Sequence, residues 1–211
     1  MPKYDLLILD YGGVYSFDFS HADVDKLRTA VFGRIPTEDE VALIAPIEKK
    51  LAQNDISTQE YVEHVADIMS IALPSVELFE STVLSITYPP SIAMVKLREK
   101  VAAAGIKTAI LSNMFLFEMI ITKPQGRYDG FDFTDFSCEA GLTKSDLKFF
   151  QITLHHFGVA AGKALFVDDM LTNIKTARSL GIHTIHADKS TFGNAEQLAE
   201  AISAELFSQT I

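Results

Sequence analysis

The chain has 211 residues, 48% of them apolar, and carries a formal net charge of -10 with a pI near 5.0. That length is enough to bury a substantial core, as one large domain or as a core with a modest second unit. The acidic balance argues against nonspecific binding to nucleic acid or to an anionic membrane, because the long-range field repels polyanions while small anions still bind where cations cluster.

No run approaches the roughly 20 apolar residues that span a bilayer. Cys138 is the single cysteine, which excludes an intrachain disulfide, fits a reducing compartment and reads as a buried thiol. From Met1 the chain runs straight into a strand-like segment with no basic, apolar leader, so a cytoplasmic address is expected.

In chain order, residues 4–9 read as a buried parallel strand. From about residue 16 to 90 there is no convincing strand but a succession of amphipathic helices. Val24, Leu27 and Val31 share one face, and Gly33 is a plausible stop. Thr37 with Glu40, and Ser57 with Glu60, have the spacing of capping boxes, and Tyr61, Val65, Ile68 and Met69 form the apolar face after Ser57. Pro89 and Pro90 mark a return to the main fold, where a helix over 91–104 leads into a second strand at 107–111.

A further strand is read at 131–136, a helix at 146–157 with Leu147, Phe150 and Leu154 on one face, a strand at 164–167, a helix at 171–180 stopped by Gly181, and a strand at 182–186. This alternation predicts an α/β fold: a Rossmann-like parallel sheet with helices on both faces. Residues 1–15 and 91–211 form the core, and 16–90 an all-helical cap inserted after the first strand. The cap would lie over the strand ends where open α/β sheets bind ligands.

Four groups carry chemistry in this order. The first strand ends in Asp10, followed by Tyr11, Gly12 and Gly13, a glycine pair that lets backbone amides approach a ligand closely. The second strand ends in Ser112 and Asn113, Lys144 follows Glu139 and Gly141, and the fourth strand ends in the pair Asp168 and Asp169, with Asn173 beyond. A phosphate monoester carries up to two negative charges, so a carboxylate reaches phosphorus only if cations neutralise the repulsion. Carboxylate oxygens at Asp10, Asp168 and Asp169 suit magnesium, Ser112 offers a hydroxyl donor and Lys144 a point charge. Singly, each has a plainer reading: Asp10 and Ser112 as strand ends, Asp168 and Asp169 as a helix cap, Lys144 as a solvated charge.

These residues resemble the haloacid dehalogenase (HAD) superfamily, with its four motifs in order over nearly the whole chain. The helical insertion is similar to the small cap of the subfamily that includes sugar-phosphate phosphatases and the N-terminal domain of soluble epoxide hydrolases. The resemblance implies Asp10 as nucleophile and magnesium ligand, the Gly12 carbonyl as second ligand, and Asp168 and Asp169 on the metal. It also implies Tyr11, Gly12, Ser112, Asn113 and Lys144 around the phosphate, with Glu139, Gly141, Asp146 and Asn173 orienting the loops. Most phosphatases of this superfamily have a second aspartate, a general acid, where this chain has Gly12.

The expected function is therefore magnesium-dependent hydrolysis of a small phosphorylated metabolite, a sugar phosphate among the candidates, through an aspartyl-phosphate on Asp10. The alternatives are a pseudo-enzyme that holds phosphate without turnover, and a metal-independent dehalogenase. Tyr15 is read as packing rather than as a replacement acid, and no catalytic role is assigned to His155 or His156. Arg34, Lys49, Lys50 and Tyr61 are the polar candidates for substrate contact in the cap. The oligomeric state is not legible.

Overall fold

The structure, a computed structural model, describes residues 3–208. Residues 1–2 and 209–211, at the outer ends of the expected core segments, and the side chain of His21 lie outside the described residues.

Five parallel strands form one sheet: β1 (Leu6–Leu9), β2 (Lys107–Ser112), β3 (Phe133–Phe136), β4 (Ala164–Asp168) and β5 (His183–His186), in the spatial order β3-β2-β1-β4-β5. The apolar runs at 4–9 and 182–186 each begin one or two residues before the paired strand, where the ladder has not yet formed. β1 is central: Leu6 pairs with Lys107 on one side and Ala164 on the other, and Leu9 with Ile110 and Val167. Strand residues alternate between faces, and β1 is apolar on both. Leu7 and Leu9 pack with Met94, Leu97 and Val101 of α5 (Ile92–Ala103) and with Leu198, Ile202 and Leu206 of α10 (Ala195–Phe207). Leu6 and Ile8 pack instead with Phe149 and Phe150 of α8 (Leu147–Phe157) and with Ile174 and Ala177 of α9 (Leu171–Ser179). The expected three-layer α/β architecture, helices on both faces of a parallel sheet, is present.

Between β1 and β2 the chain makes four helices: α1 (His21–Phe32), α2 (Glu38–Ala52), α3 (Thr58–Met69) and α4 (Val76–Ser85). They enclose a core of their own, built from Leu27, Val31, Ile44, Val62, Val65 and Phe79 among others. Both expected capping boxes form, Thr37 with Glu40 and Ser57 with Glu60, and a third joins Ser20 to Asp23 ahead of α1. Gly33 ends α1 in the left-handed conformation, at φ 76°. Three helices went unread in the sequence: α6 (Leu116–Thr122) after β2, α7 (Ser137–Ala140) after β3, and α10 after β5. α6 is preceded by Phe115 and carries Phe117, and both rings join the core of the four-helix unit. Among the described residues, no helix is long and apolar enough to cross a membrane.

The strand order places a topological switch at β1, since the chain first builds the sheet toward β2 and β3 and then returns to add β4 and β5 on the other side. In such sheets the crevice outside the C-terminal strand ends receives ligands.

Candidate functional site

Asp10 follows the last residue of β1, its amide donating to Val167 O at 3.0 Å, so the tips of β1 and β4 are held side by side. Its side chain is 9% exposed. Asp10, Asp168 and Asp169 each bring a carboxylate oxygen into one cluster, all within 4.8 Å of one another.

Lys144 enters this cluster from the loop before α8. Its ammonium, 2% exposed, lies 2.6 Å from Asp10 Oδ2 and 2.7 Å from Asp168 Oδ2. Burial alone would depress the lysine, but the facing carboxylates of Asp10 and Asp168 outweigh it and hold the ammonium well above the ordinary lysine value. Asp10 is pushed upward, first by burial and then by the charges of Asp168 and Asp169, with Lys144 opposing. Three carboxylates thus meet at one point, with Lys144 between two of them, a donor set that suits a cation.

The supporting contacts explain why these side chains hold their places. Asp168 Oδ1 accepts from the Met170 amide at 2.7 Å and from Asn173 Nδ2 at 3.0 Å, which joins the β4 tip to the start of α9. Asp146 accepts from the amide and hydroxyl of Thr143, both at 3.0 Å, and so folds the loop that presents Lys144. Asn113 Oδ1 accepts from the Lys144 amide at 2.9 Å. Gly141 supplies the left-handed turn at the start of that loop, at φ 64°. Glu139, expected to orient the same loop, instead lies at the surface against Lys123 at 3.1 Å.

The turn after Asp10 depends on both glycines. Gly13 has φ 73°, and a Cβ there would stand 2.6 Å from Asp169 Oδ2, so any larger residue would displace that carboxylate. A Cβ at Gly12 would come within 3.2 Å of the Phe19 ring. The space beside residue 12 is thus occupied by an aromatic side chain. The Tyr11 amide donates to Asp10 Oδ1 at 2.6 Å, and its hydroxyl donates to Tyr88 O at 2.9 Å.

Asp10, Gly12, Ser112, Asn113, Lys144 and Asp169 line one cavity of about 450 Å³. The Ser112 hydroxyl has no hydrogen-bond partner among the described residues. The remaining walls come from the four-helix unit. They include Leu27, Phe32, Ile44, Val65 and Phe79, together with the polar residues Arg28, Glu48 and Tyr61, and Glu118 of α6. Glu118 accepts from Thr87 Oγ1 at 3.0 Å, and burial pushes its carboxyl up to about 7.

Of the polar candidates expected in this unit, only Tyr61 lines the cavity. Arg34 pairs with Glu40 at 2.6 Å, and Lys50 is exposed. Lys49 reaches across to Asp146 and Ser145, each at 2.9 Å, while Gln53 donates to Gly141 O at 3.1 Å. The end of α2 is therefore fastened to the Lys144 loop. Tyr15 packs edge-on against Phe131 at 4.9 Å and does not line the cavity. Cys138 is buried and its thiol is pushed up to about 11 by burial. His156 stacks on Phe133 at 3.9 Å, away from the cavity.

Arg28, Glu48 and Glu118 were missed in the sequence. Glu48 had a readable signal, for it stands four residues after Ile44 and three before Leu51, a carboxylate on an apolar helix face. Glu118 had none, because only the packing of α6 against residue 87 brings it to the cavity.

The parallel sheet with a helical insertion after β1 is a fold shared with solved structures of HAD-family enzymes. The predicted HAD-like hydrolase from Porphyromonas gingivalis superposes with a TM-score of 0.74 at 21% identity, covering 98% of this chain and 100% of that one. A HAD family enzyme from Bacteroides thetaiotaomicron, solved in complex with magnesium and inorganic phosphate, gives a TM-score of 0.65 at 18% identity, covering 86% and 93%.

Among curated proteins, the chain is 32% identical over 148 residues to mouse acyl-CoA dehydrogenase family member 10, covering 66% of this chain. It is 30% identical over 105 residues to pig bifunctional epoxide hydrolase 2, covering 47% of this chain. The matches span only 14% and 18% of the lengths of those two relatives. The sequence matches no protein-family model.

Proposed function

We propose that this protein is a magnesium-dependent phosphatase of a small phosphorylated metabolite, with Asp10 as its nucleophile. The observation that carries the reading is the convergence of Asp10, Asp168 and Asp169 within 4.8 Å, with a single buried ammonium between two of them. The donor set is all oxygen, which fits a hard divalent cation. Asp10, Asp168, Asp169 and the Gly12 carbonyl would hold it. Bound there, magnesium would neutralise the repulsion between Asp10 and the phosphate and polarise a phosphoryl oxygen.

The remaining work falls to the chain. Lys144 holds the Asp10 carboxylate by an ion pair and offers positive charge to the phosphate, and Ser112 offers its hydroxyl as donor. Asp10 attacks phosphorus, the bond to the ester oxygen breaks, and a phosphoryl group is carried on the aspartate. Water then attacks that phosphorus, releasing phosphate and the free carboxylate. The departing alkoxide takes its proton from a group other than residue 12, which is glycine. General acid catalysis contributes about 100-fold to 10,000-fold, so esters whose leaving group needs no proton should be favoured.

In this reading residues 1–15 and 91–211 form the catalytic core and 16–90 a cap that limits access. The B. thetaiotaomicron enzyme that holds magnesium and phosphate supports the same ligand chemistry here. A dehalogenase reading uses the same aspartate on carbon but gives Asp168 and Asp169 no metal to hold.

Phosphate release from an aryl phosphate, with and without magnesium, tests the proposal. Turnover that requires the metal and falls by at least about 10⁴-fold in Asp10→Asn is expected. Magnesium binding without turnover of any ester would leave the pseudo-enzyme reading in its place.

A further inference from the structure

We infer that the phosphate ester this site accepts is that of an apolar alcohol, an alkyl or aryl monophosphate, rather than that of a sugar. The inference rests on the phosphatase reading and concerns the part of the substrate that is not phosphate.

The cavity that begins at Asp10, Ser112 and Lys144 continues without interruption between the helices of the 16–90 segment. Its walls there are carbon: Leu27, Phe32, Ile44, Val65 and Phe79, each at most 9% exposed. Phe19 adds a ring beside Gly12.

Most of the polar groups in this part are already engaged: Ser16 donates to Tyr88 O at 2.9 Å, Thr87 to Val83 O at 2.9 Å and the Tyr88 hydroxyl to Asp23 at 3.4 Å. Arg28 faces Asp25 at 3.7 Å, and Glu118 is bonded to Thr87. The Glu48 carboxyl and the Tyr61 hydroxyl have no hydrogen-bond partner among the described residues, and burial favours the neutral form of each. A hexose phosphate would bring four or five hydroxyls, most of which would lose water without gaining a partner. An aliphatic or aromatic group loses no hydrogen bonds and gains contact with every wall. Glu48 and Tyr61 suffice for one polar substituent on such a group.

A homologous series tests this. The kcat/KM for ethyl, butyl and hexyl phosphate with magnesium should rise by about threefold per added methylene, with glucose 6-phosphate below ethyl phosphate. A flat or falling series, or a sugar phosphate that outperforms hexyl phosphate, would overturn the inference while leaving the phosphatase reading intact.

Binding provides the independent arm: calorimetry of hexylphosphonate and methylphosphonate, neither of which can be hydrolysed, on the magnesium-loaded protein. Tighter binding of the hexyl compound by tenfold or more, without turnover of any ester, would uphold the apolar cavity and remove the phosphatase. Equal affinity for the two would overturn the cavity assignment whatever the kinetics show.

Discussion

The two sides of the cavity are built on opposite principles. On the sheet side Asp10, Lys144 and Asp168 are buried charges, fixed by ion pairs at 2.6 and 2.7 Å and by donors from Met170 and Asn173. On the helix side the walls are mainly apolar, and two carboxyls there, Glu48 and Glu118, are driven toward their neutral forms by burial. The contrast teaches where each task is placed. A rigid parallel sheet can hold like charges together because its ladder and core do not relax, whereas a four-helix unit with its own core can vary its inner face without disturbing the charged network.

The comparison is broken most severely by Lys144→Met, which leaves Asp10 and Asp168 facing each other with no buried cation. Stability without metal should fall by about 3–5 kcal/mol at neutral pH, and turnover should be lost. The stability loss should shrink as pH falls and the carboxylates take up protons, and added magnesium should restore part of it. Urea unfolding at two pH values, with and without magnesium, measures this; a loss of under about 1 kcal/mol would mean that the pair does not hold the site.

On the helix side the corresponding change is Phe79→Ala. Phe79 is 2% exposed and has Tyr61 at 5.2 Å and Phe115 and Phe117 each at 6.1 Å between ring centres. Its loss should cost about 3 kcal/mol or more by cavity formation. If the helix side is the selective one, the variant should also flatten the dependence of kcat/KM on alkyl chain length more than it lowers turnover of ethyl phosphate.

Glu118→Gln sharpens the contrast through pH. The folded carboxyl is raised from 4.5 to about 7, so the native state holds this proton more tightly than the unfolded chain does. Native stability therefore falls as pH rises from about 4.5 toward 7, and the glutamine variant lacks that loss. The melting temperature of E118Q minus that of the parent should grow between pH 5 and pH 7.5. A difference constant over that window would place the carboxyl in water.

The smallest effect is expected for Lys49→Ala, which cuts an exposed contact between α2 and the Lys144 loop. The pair is 39% and 30% exposed at its two side chains. Its loss should cost no more than about 1 kcal/mol in stability. A fall in kcat larger than about threefold, read beside unchanged melting, would show that the loop is positioned from the helical unit.

Much of the fold was legible because apolar runs followed by glycine or polar residues have one reading. Leu6–Leu9 is apolar on both faces and belongs at the centre of a parallel sheet. The capping boxes at Thr37 and Ser57 announced their helices from four-residue patterns that need no tertiary partner. α2 runs through Pro46, a residue that costs a helix interior about 3 kcal/mol, because packing around Ile44 and Leu51 outweighs the missing hydrogen bond.

By itself the sequence determined the order of the strands and of most helices, and the chemical character of four groups, three at strand ends and Lys144 in a loop, because these are encoded within a few residues of one another. Only the tertiary structure decided that Arg28, Glu48 and Glu118 share a cavity with Asp10, that Phe19 fills the space beside Gly12, and that Lys49 and Arg34 face elsewhere. Those outcomes depend on how a helical unit inserted between β1 and β2 sits on the sheet. Contacts between residues so far apart in the chain follow from packing, which no local pattern specifies.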